Sequence, residues 1–331
     1  MSLSSIALAA VPALAFLVAG FLVFSAKTSR LIDVPNERSS HVIPTPRGGG
    51  LGVWLGFLSG IAILWVEGGV GGGAASAYLV APSLVALVGM ADDIWGVAVR
   101  WRLLVHFGAV SLGLMLLGAG APLLQEWWFF SPFLVIALVW FLNLYNFMDG
   151  IDGIATTEAI TVCLGMACLA WGVGRTDLAL APAVLALAAS GFLPWNVPPA
   201  RIFMGDVGSG FIGCALGLMF VQQAVGDPAL LAACVILPAV FVTDASLTLF
   251  RRMIAGYPLH QAHRTHAYQH ASRRLGSHGR VTAAVLVINV AWLFPLAAWA
   301  LQGDGRAWMG LALAYGPLSV LAWWLGAGRD V

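Results

Sequence analysis

Eleven apolar runs of about 20 residues, long enough to cross a bilayer as helices, dominate this 331-residue chain. They lie near 6–26, 50–66, 75–91, 101–119, 129–146, 155–173, 178–194, 208–225, 229–248, 281–301 and 308–326. In lipid every backbone polar group needs a partner inside the protein, so only helices and closed barrels can span. A barrel would show shorter segments of alternating polarity, and these runs are continuous. Charged residues make up only 9% of the chain, against roughly 25% in soluble domains. The sequence therefore predicts an all-α, polytopic transmembrane protein of about eleven spans, a single integral-membrane domain over 1–331. Cys163, Cys168, Cys214 and Cys234 all fall inside apolar runs without a Cys-x-x-Cys pair, which reads as buried small hydrophobes. The first 26 residues carry no charged side chain, whereas a secretory signal opens with Lys or Arg; a retained first span is expected.

The basic residues orient these spans. Lys27, Arg30, Arg38, Arg47, Arg100, Arg102, Arg201, Arg251, Arg252, Arg264, Arg273, Arg274, Arg280 and Arg329 fall on one side, and only Arg175 and Arg306 on the other. Lys and Arg accumulate on the cytoplasmic side, so the N-terminus is expected outside and the C-terminus inside. Nearly every unusual polar residue lies in five connections on that side, and stability alone would not concentrate them there. The net charge of +1 points to no nucleic-acid partner.

The central stretch is 143–155, Asn-Leu-Tyr-Asn-Phe-Met-Asp-Gly-Ile-Asp-Gly-Ile-Ala. It sets Asp149 and Asp152 at the end of an apolar run, beside Asn143, Asn146, Gly150 and Gly153. A carboxylate near lipid is costly and is a functional-site hypothesis by default; the structural alternative is a helix end capped by Asp and Gly. Asp92 and Asp93 close another span, followed by Arg100 and Arg102. Adjacent carboxylates repel unless a cation lies between them, so one can serve as general base while the other faces a metal; a solvated helix end is the alternative. Residues 205–210, Gly-Asp-Val-Gly-Ser-Gly, sit where a loop enters a helix, and backbone N–H groups there can cradle phosphate, with Asp206 close enough to hold a divalent ion on it. A Gly-rich turn with Asp or Ser as N-cap is the alternative. His263, Arg264 and His266 lack the i, i+4 spacing and Glu of a zinc helix and fit phosphate contact better. Asp244 near Arg251 and Arg252 suggests an ion pair, and His106 a satisfied intramembrane polar residue. Hard oxygen donors point to Mg2+, with Mn2+ as the alternative, bound by carboxylates together with substrate phosphates. The residues read as a metal-assisted phosphoryl-transfer site acting on a lipid.

Taken together, 44–50, Asp92-Asp93 with Arg100 and Arg102, 143–155, 203–209, Asp244 with Arg251-Arg252, and 263–266 resemble the polyprenyl-phosphate N-acetylhexosaminyl-1-phosphate transferases, glycosyltransferase family 4. The stretches occur in the family's order across most of the chain. The resemblance implies a bacterial inner-membrane enzyme that transfers N-acetylhexosamine-1-phosphate from a UDP-sugar to undecaprenyl phosphate, releasing UMP, with Mg2+ required. It assigns catalytic roles to Asp92, Asp93, Asp149, Asp152, His263 and His266, and metal ligation to Asp206, Asp93 and Asp149. Substrate binding falls to Asn143, Asn146, Asn196, Phe203, Arg47, Arg100, Arg102 and Arg264, with Phe203 stacking on uracil. The partners implied are UDP-N-acetylhexosamine, undecaprenyl phosphate, the lipid bilayer and a second copy of the chain. His-Arg-Thr-His departs from the family's His-x-His-His and looks more like the branch that initiates O-antigen.

Direct attack and an aspartyl-phosphate intermediate are both open at this level. The peptidoglycan muramoyl-pentapeptide translocases and other lipid-phosphate phosphotransferases are the nearest alternatives. An ion-coupled secondary transporter would place its acids near the midplane and carry an inverted repeat; here they lie at the membrane edge and no repeat is visible.

Overall fold

The computed structural model describes residues 3–25, 31–35, 43–118, 131–258, 263–303 and 305–329. Lys27, Arg30, Arg38, His41 and His260 lie outside the described residues. In chain order come α1 (Leu3–Ser25), β1 (Ile32–Asp33), β2 (Thr45–Pro46), α2 (Gly50–Val66), α3 (Gly72–Trp95), α4 (Val99–Gly118), α5 (Ser131–Phe147), α6 (Ile154–Gly172), α7 (Thr176–Asn196), α8 (Asp206–Gly226), α9 (Leu230–Ile236), α10 (Ala239–Ile254), α11 (Ala267–Leu275), α12 (His278–Ile288), a π-helical turn (Asn289–Leu293), α13 (Phe294–Ala300) and α14 (Arg306–Leu325).

Every predicted apolar run is helical. Among the described residues eight helices are long and apolar enough to cross a membrane, or up to nine if α9 and α10 count as one span; α2 and α5 are apolar but shorter, at 17 residues each. α9 and α10 are bent by 61° where Pro238 precedes α10; proline has no N–H to continue the helical ladder. Among the described residues the one departure from an all-α fold is the two-residue ladder of β1 on β2, antiparallel, pairing Ile32 with Pro46 and Asp33 with Thr45.

α8 is the centre of the bundle. It is 83% buried, against 22% for α1 and α14, and its glycines explain how. Helices in lipid associate by close packing, which small residues permit. A Cβ on Gly213 would lie 3.0 Å from the Leu142 Cα of α5, and one on Gly210 3.1 Å from Val85 of α3. At the end of α8 that carries Asp206, Gly208 meets Gly50 at the start of α2, backbone against backbone, so neither position has room for a side chain. Farther out, Glu158 of α6 is fully buried and accepts a hydrogen bond from Asn289 of the π turn at 2.7 Å.

α11 differs from its neighbours. It is short and strongly two-sided: Tyr268, Gln269 and Ser272 are buried, while Arg273 and Arg274 are exposed. It lies across the end of the bundle where α3, α5 and α10 finish and α6 and α8 begin.

Candidate active site

Backbone hydrogen bonds stitch the predicted connections together. Phe203 donates to Pro46 at 2.8 Å, Gly49 donates to Phe203 at 2.9 Å, and Gly50 donates to Met204 at 2.9 Å. The first and fourth connections thus run as one ribbon, which sets Arg47 beside Asp93. The Arg47 guanidinium donates to the Asp93 carbonyl and lies 3.8 Å from its carboxylate.

Asp93 is 3% exposed. Its two oxygens accept the N–H groups of Asp206 and Val207 at 3.2 and 3.1 Å, donors that the start of α8 leaves without intrahelical partners. Gly205, at φ +75°, makes the approach possible: a Cβ there would sit 2.6 Å from Asp93 Oδ2. Asp93 therefore ties α3 to the head of α8.

Its neighbour Asp92 turns the other way. Oδ1 accepts Val97 N–H at 2.5 Å, and Oδ2 accepts from Arg102 at 2.6 Å. The same Arg102 nitrogen donates to Asp206 Oδ2 at 2.8 Å. Two carboxylates from different helices thus converge on a single positive charge. Among the described residues no group of three or more His, Cys, Asp or Glu gathers as a metal cluster. Yet two carboxylates are what Mg2+ usually takes from a protein when substrate phosphates complete its shell, and the guanidinium stands where such a cation would. The donor set fits a divalent ion at Asp92 and Asp206. Of the three residues expected to hold metal, Asp93 is the one whose oxygens the fold already uses.

The 147–153 connection forms the opposite wall. Tyr268 of α11 donates to the Phe147 carbonyl at 3.1 Å, and Tyr145 donates to the Ala155 carbonyl at 2.6 Å. Gly150 packs directly under the Tyr268 hydroxyl, where a Cβ would collide with it. Asp149 keeps part of its surface open but sits deep among protein atoms. Lost hydration, with the Asp93 and Asp152 charges nearby, pushes its carboxyl up to about 7. Among the described residues no donor is hydrogen-bonded to it. Asp152 is engaged on both oxygens: Oδ2 accepts Ala200 N–H at 3.1 Å and Oδ1 lies 3.2 Å from His278 Nδ1.

The histidine segment enters over α10. Asp244 was expected to pair with Arg251 or Arg252; instead its carboxylate accepts the N–H groups of Ala267 and Tyr268 at 2.7 and 2.8 Å and lies 3.6 Å from His266 Nδ1. Carboxylate capping of a helix start is favoured by the exposed amides and the helix dipole, and here it outcompetes the arginines. Arg251 bonds the Ala327 carbonyl and stacks over Trp323, while Arg252 reaches Thr265. The His263 and His266 rings meet at a tilt of 31°, their centroids 4.9 Å apart.

Several expected substrate contacts are placed elsewhere. Asn196 is 2% exposed, and its amide is spent on Thr156 at 2.7 Å and the Ile202 carbonyl at 3.1 Å; it braces the wall from inside. Asn143 lies a turn deeper in α5, where its amide donates to the Val139 carbonyl at 2.7 Å. Arg100 is exposed and stacks on Trp101, since residues two apart do not share a helix face with Arg102. The exposed Arg264 gives its carbonyl to Arg273 at 3.1 Å. Phe203 and Asn146 remain half-buried at the site. Sequence reasoning passed over Tyr268 and His278; the only trace of the second is His278 and Thr282 spaced four apart, on one face of α12.

Residues 75–224, from α3 to α8, match the profile of glycosyl transferase family 4. A decaprenyl-phosphate N-acetylglucosaminephosphotransferase of Mycolicibacterium smegmatis is 32% identical over 290 residues, covering 73% of this chain and 70% of the relative. A probable undecaprenyl-phosphate N-acetylglucosaminyl 1-phosphate transferase of Bacillus subtilis is 25% identical over 296 residues, covering 86% and 80%. A phospho-N-acetylmuramoyl-pentapeptide-transferase of Clostridium kluyveri is 34% identical over 134 residues, 39% of this chain and 41% of the relative. The longer alignments run well beyond the profile match. The chain belongs to glycosyl transferase family 4, among the polyprenyl-phosphate N-acetylhexosamine-1-phosphate transferases.

Proposed function

We propose that the protein transfers N-acetylhexosamine-1-phosphate from a UDP-sugar to a polyprenyl phosphate, releasing UMP and starting a cell-surface polysaccharide of the O-antigen type. The observation that carries this reading is the convergence of Asp92 and Asp206 on one cationic nitrogen, at 2.6 and 2.8 Å. Phosphoryl transfer asks a protein for positioning and charge neutralisation more than for covalent help. Asp92 and Asp206 would hold a divalent ion, which when bound would supply charge neutralisation to the transferring phosphoryl group. An oxygen of the lipid phosphate replaces UMP on the sugar-bearing phosphorus; one P–O bond forms, one breaks, and UMP keeps the electron pair. Asp92 orients the incoming phosphate, and Arg102, released from the carboxylates, pairs with phosphate oxygen. Phe203, Asn146 and the 147–153 connection line the nucleotide side. His263 and His266 face the diphosphate.

The lipid tail has a route. An apolar groove of about 510 Å³ runs between α5, α10 and α14, lined by Trp140, Val242, Phe250, Met253 and Tyr315. α5 leads from it to the 147–153 connection, and α10 carries Asp244. We place the site on the cytoplasmic face of the inner membrane, with all eleven apolar helices or helix pairs crossing, because fourteen of the sixteen Lys and Arg residues fall on that side.

The test is a panel of UDP-sugars offered to the purified protein with radiolabelled undecaprenyl phosphate, with and without EDTA. UMP release with a UDP-N-acetylhexosamine and its loss in EDTA is the expected result. Turnover of a nucleotide-free lipid diphosphate, with no UDP-sugar consumed, would overturn the reading.

A further inference from the structure

Asp152 is held from three directions, and two of its partners come from α12. Oδ1 lies 3.2 Å from His278 Nδ1, with both side chains mostly buried, at 12% and 19% exposed. One turn along α12, Thr282 donates to the Asp152 carbonyl at 2.8 Å. Oδ2 accepts Ala200 N–H at 3.1 Å, which joins the 147–153 connection to the one leading into Phe203. Asp152 N–H donates to His278 Nδ1 at 3.4 Å, so the imidazole accepts the backbone amide while lying in contact with Oδ1. Two residues later Gly153 turns at φ +76° and α6 begins. The backbone carrying Asp149 is thus pinned at Asp152, where Thr282 and the His278 imidazole anchor it from α12.

We infer that His278 is a positioning residue for the nucleotide side of the site, acting through Asp152 to fix the backbone that presents Asp149 and Phe203. It touches no substrate. The physical ground is the cost of misplacement: a hydrogen-bonded carboxylate holds a loop to a fraction of an ångström, and a shift of about 1 Å in a positioning group can cost about 100-fold. The connection with Asp152 reaches both walls that Phe203 and Asp149 occupy, while Asp92, Asp206 and Arg102 are braced separately through Asp93 and α8. Losing His278 should therefore loosen nucleotide binding and leave the lipid side alone. The inference rests on the proposed UDP-sugar reaction.

The experiment compares His278→Asn, His278→Gln and His278→Ala in the full-length purified protein. An Asn amide places an acceptor oxygen where Nδ1 stands; the longer Gln does not. His278→Gln and His278→Ala should raise KM for the UDP-sugar about tenfold, the loss of one buried hydrogen bond. KM for the polyprenyl phosphate should stay within about twofold, and His278→Asn should restore nucleotide KM to near the wild-type value. A merely structural histidine would lower thermal stability and weaken both substrates together. If Asn and Gln behave alike, or both KM values rise in step, the inference is wrong while the reaction stands. Should His278→Ala fail to fold, the Asn–Gln pair alone decides. If the wild type turns over no UDP-sugar, the functional reading itself has failed, and UMP binding by calorimetry across the same variants then judges His278: unchanged affinity in His278→Gln overturns it.

Discussion

The two aspartate pairs of the site, Asp92 with Asp93 and Asp149 with Asp152, divide their labour in the same way. In each, one carboxylate is absorbed by the protein: Asp93 by the N–H groups that open α8, Asp152 by Ala200 and His278. The other is turned outward: Asp92 toward the Arg102 guanidinium it shares with Asp206, Asp149 toward no donor among the described residues. Close carboxylates raise each other's pKa unless something favours the charged form. Spending one acid of each pair on fixed donors leaves its neighbour to meet substrate, although for Asp93 burial still pushes the carboxyl up against those donors. The pairs differ in what braces them: the start of α8 in the first, the His278 imidazole and Ala200 N–H in the second.

The sharpest way to break this division is Asp92→Asn. If Asp92 is the working member, UMP release should fall about 100- to 10,000-fold, the usual range for a lost acid–base group, with the melting temperature unchanged. Asp93→Ala should do the reverse in kind. It removes two charge-assisted hydrogen bonds from a residue 3% exposed, costing about 3 kcal/mol of stability, visible as a lower melting temperature in detergent. Equal stability in the two variants would erase the distinction.

Gly150→Ala tests the second wall. The new methyl must displace the Tyr268 hydroxyl, and overpacking of this kind costs about 1–3 kcal/mol; Gly150→Ala with Tyr268→Phe should recover part of it. The smallest effect is in pH. Asp149 is held at about 7, above an unfolded carboxyl near 4. Between those values the folded state keeps a proton that the unfolded state has lost, so stability falls as pH rises through that window. Asp149→Asn should flatten this slope in thermal unfolding of the substrate-free protein. It should also remove the part of nucleotide affinity that changes as Asp149 ionises near pH 7.

Much of this was legible in the residues. Apolar run length marks a helix whatever packs on it, so the apolar runs were found as helices; the bend at α9–α10, the π turn after α12 and the short, polar-faced α11 were not. The stretches 44–50, 92–93, 149–152, 203–209 and 263–266 do converge. What stayed hidden was which atom bonds which. Asp93 looks the equal of Asp92 in sequence, because the donors that claim it lie 113 and 114 residues away. Asn196 reads as a pocket residue until Thr156 and the Ile202 carbonyl take its amide. Asp244 has arginines close in sequence, yet the start of α11, 23 residues on, holds it. Long-range hydrogen bonds decide these roles, and no local pattern records them.

The meeting of Gly50 with Gly208 has one more effect. With no side chains between them, the heads of α2 and α8 cannot slide or tilt independently, and Asp93 rivets α3 to the same block. That flank is an anvil. Whatever clearance admits a bulky nucleotide-sugar and lets UMP escape must come from the facing side, where α11 rests on the bundle through Tyr268 and the Asp244 cap.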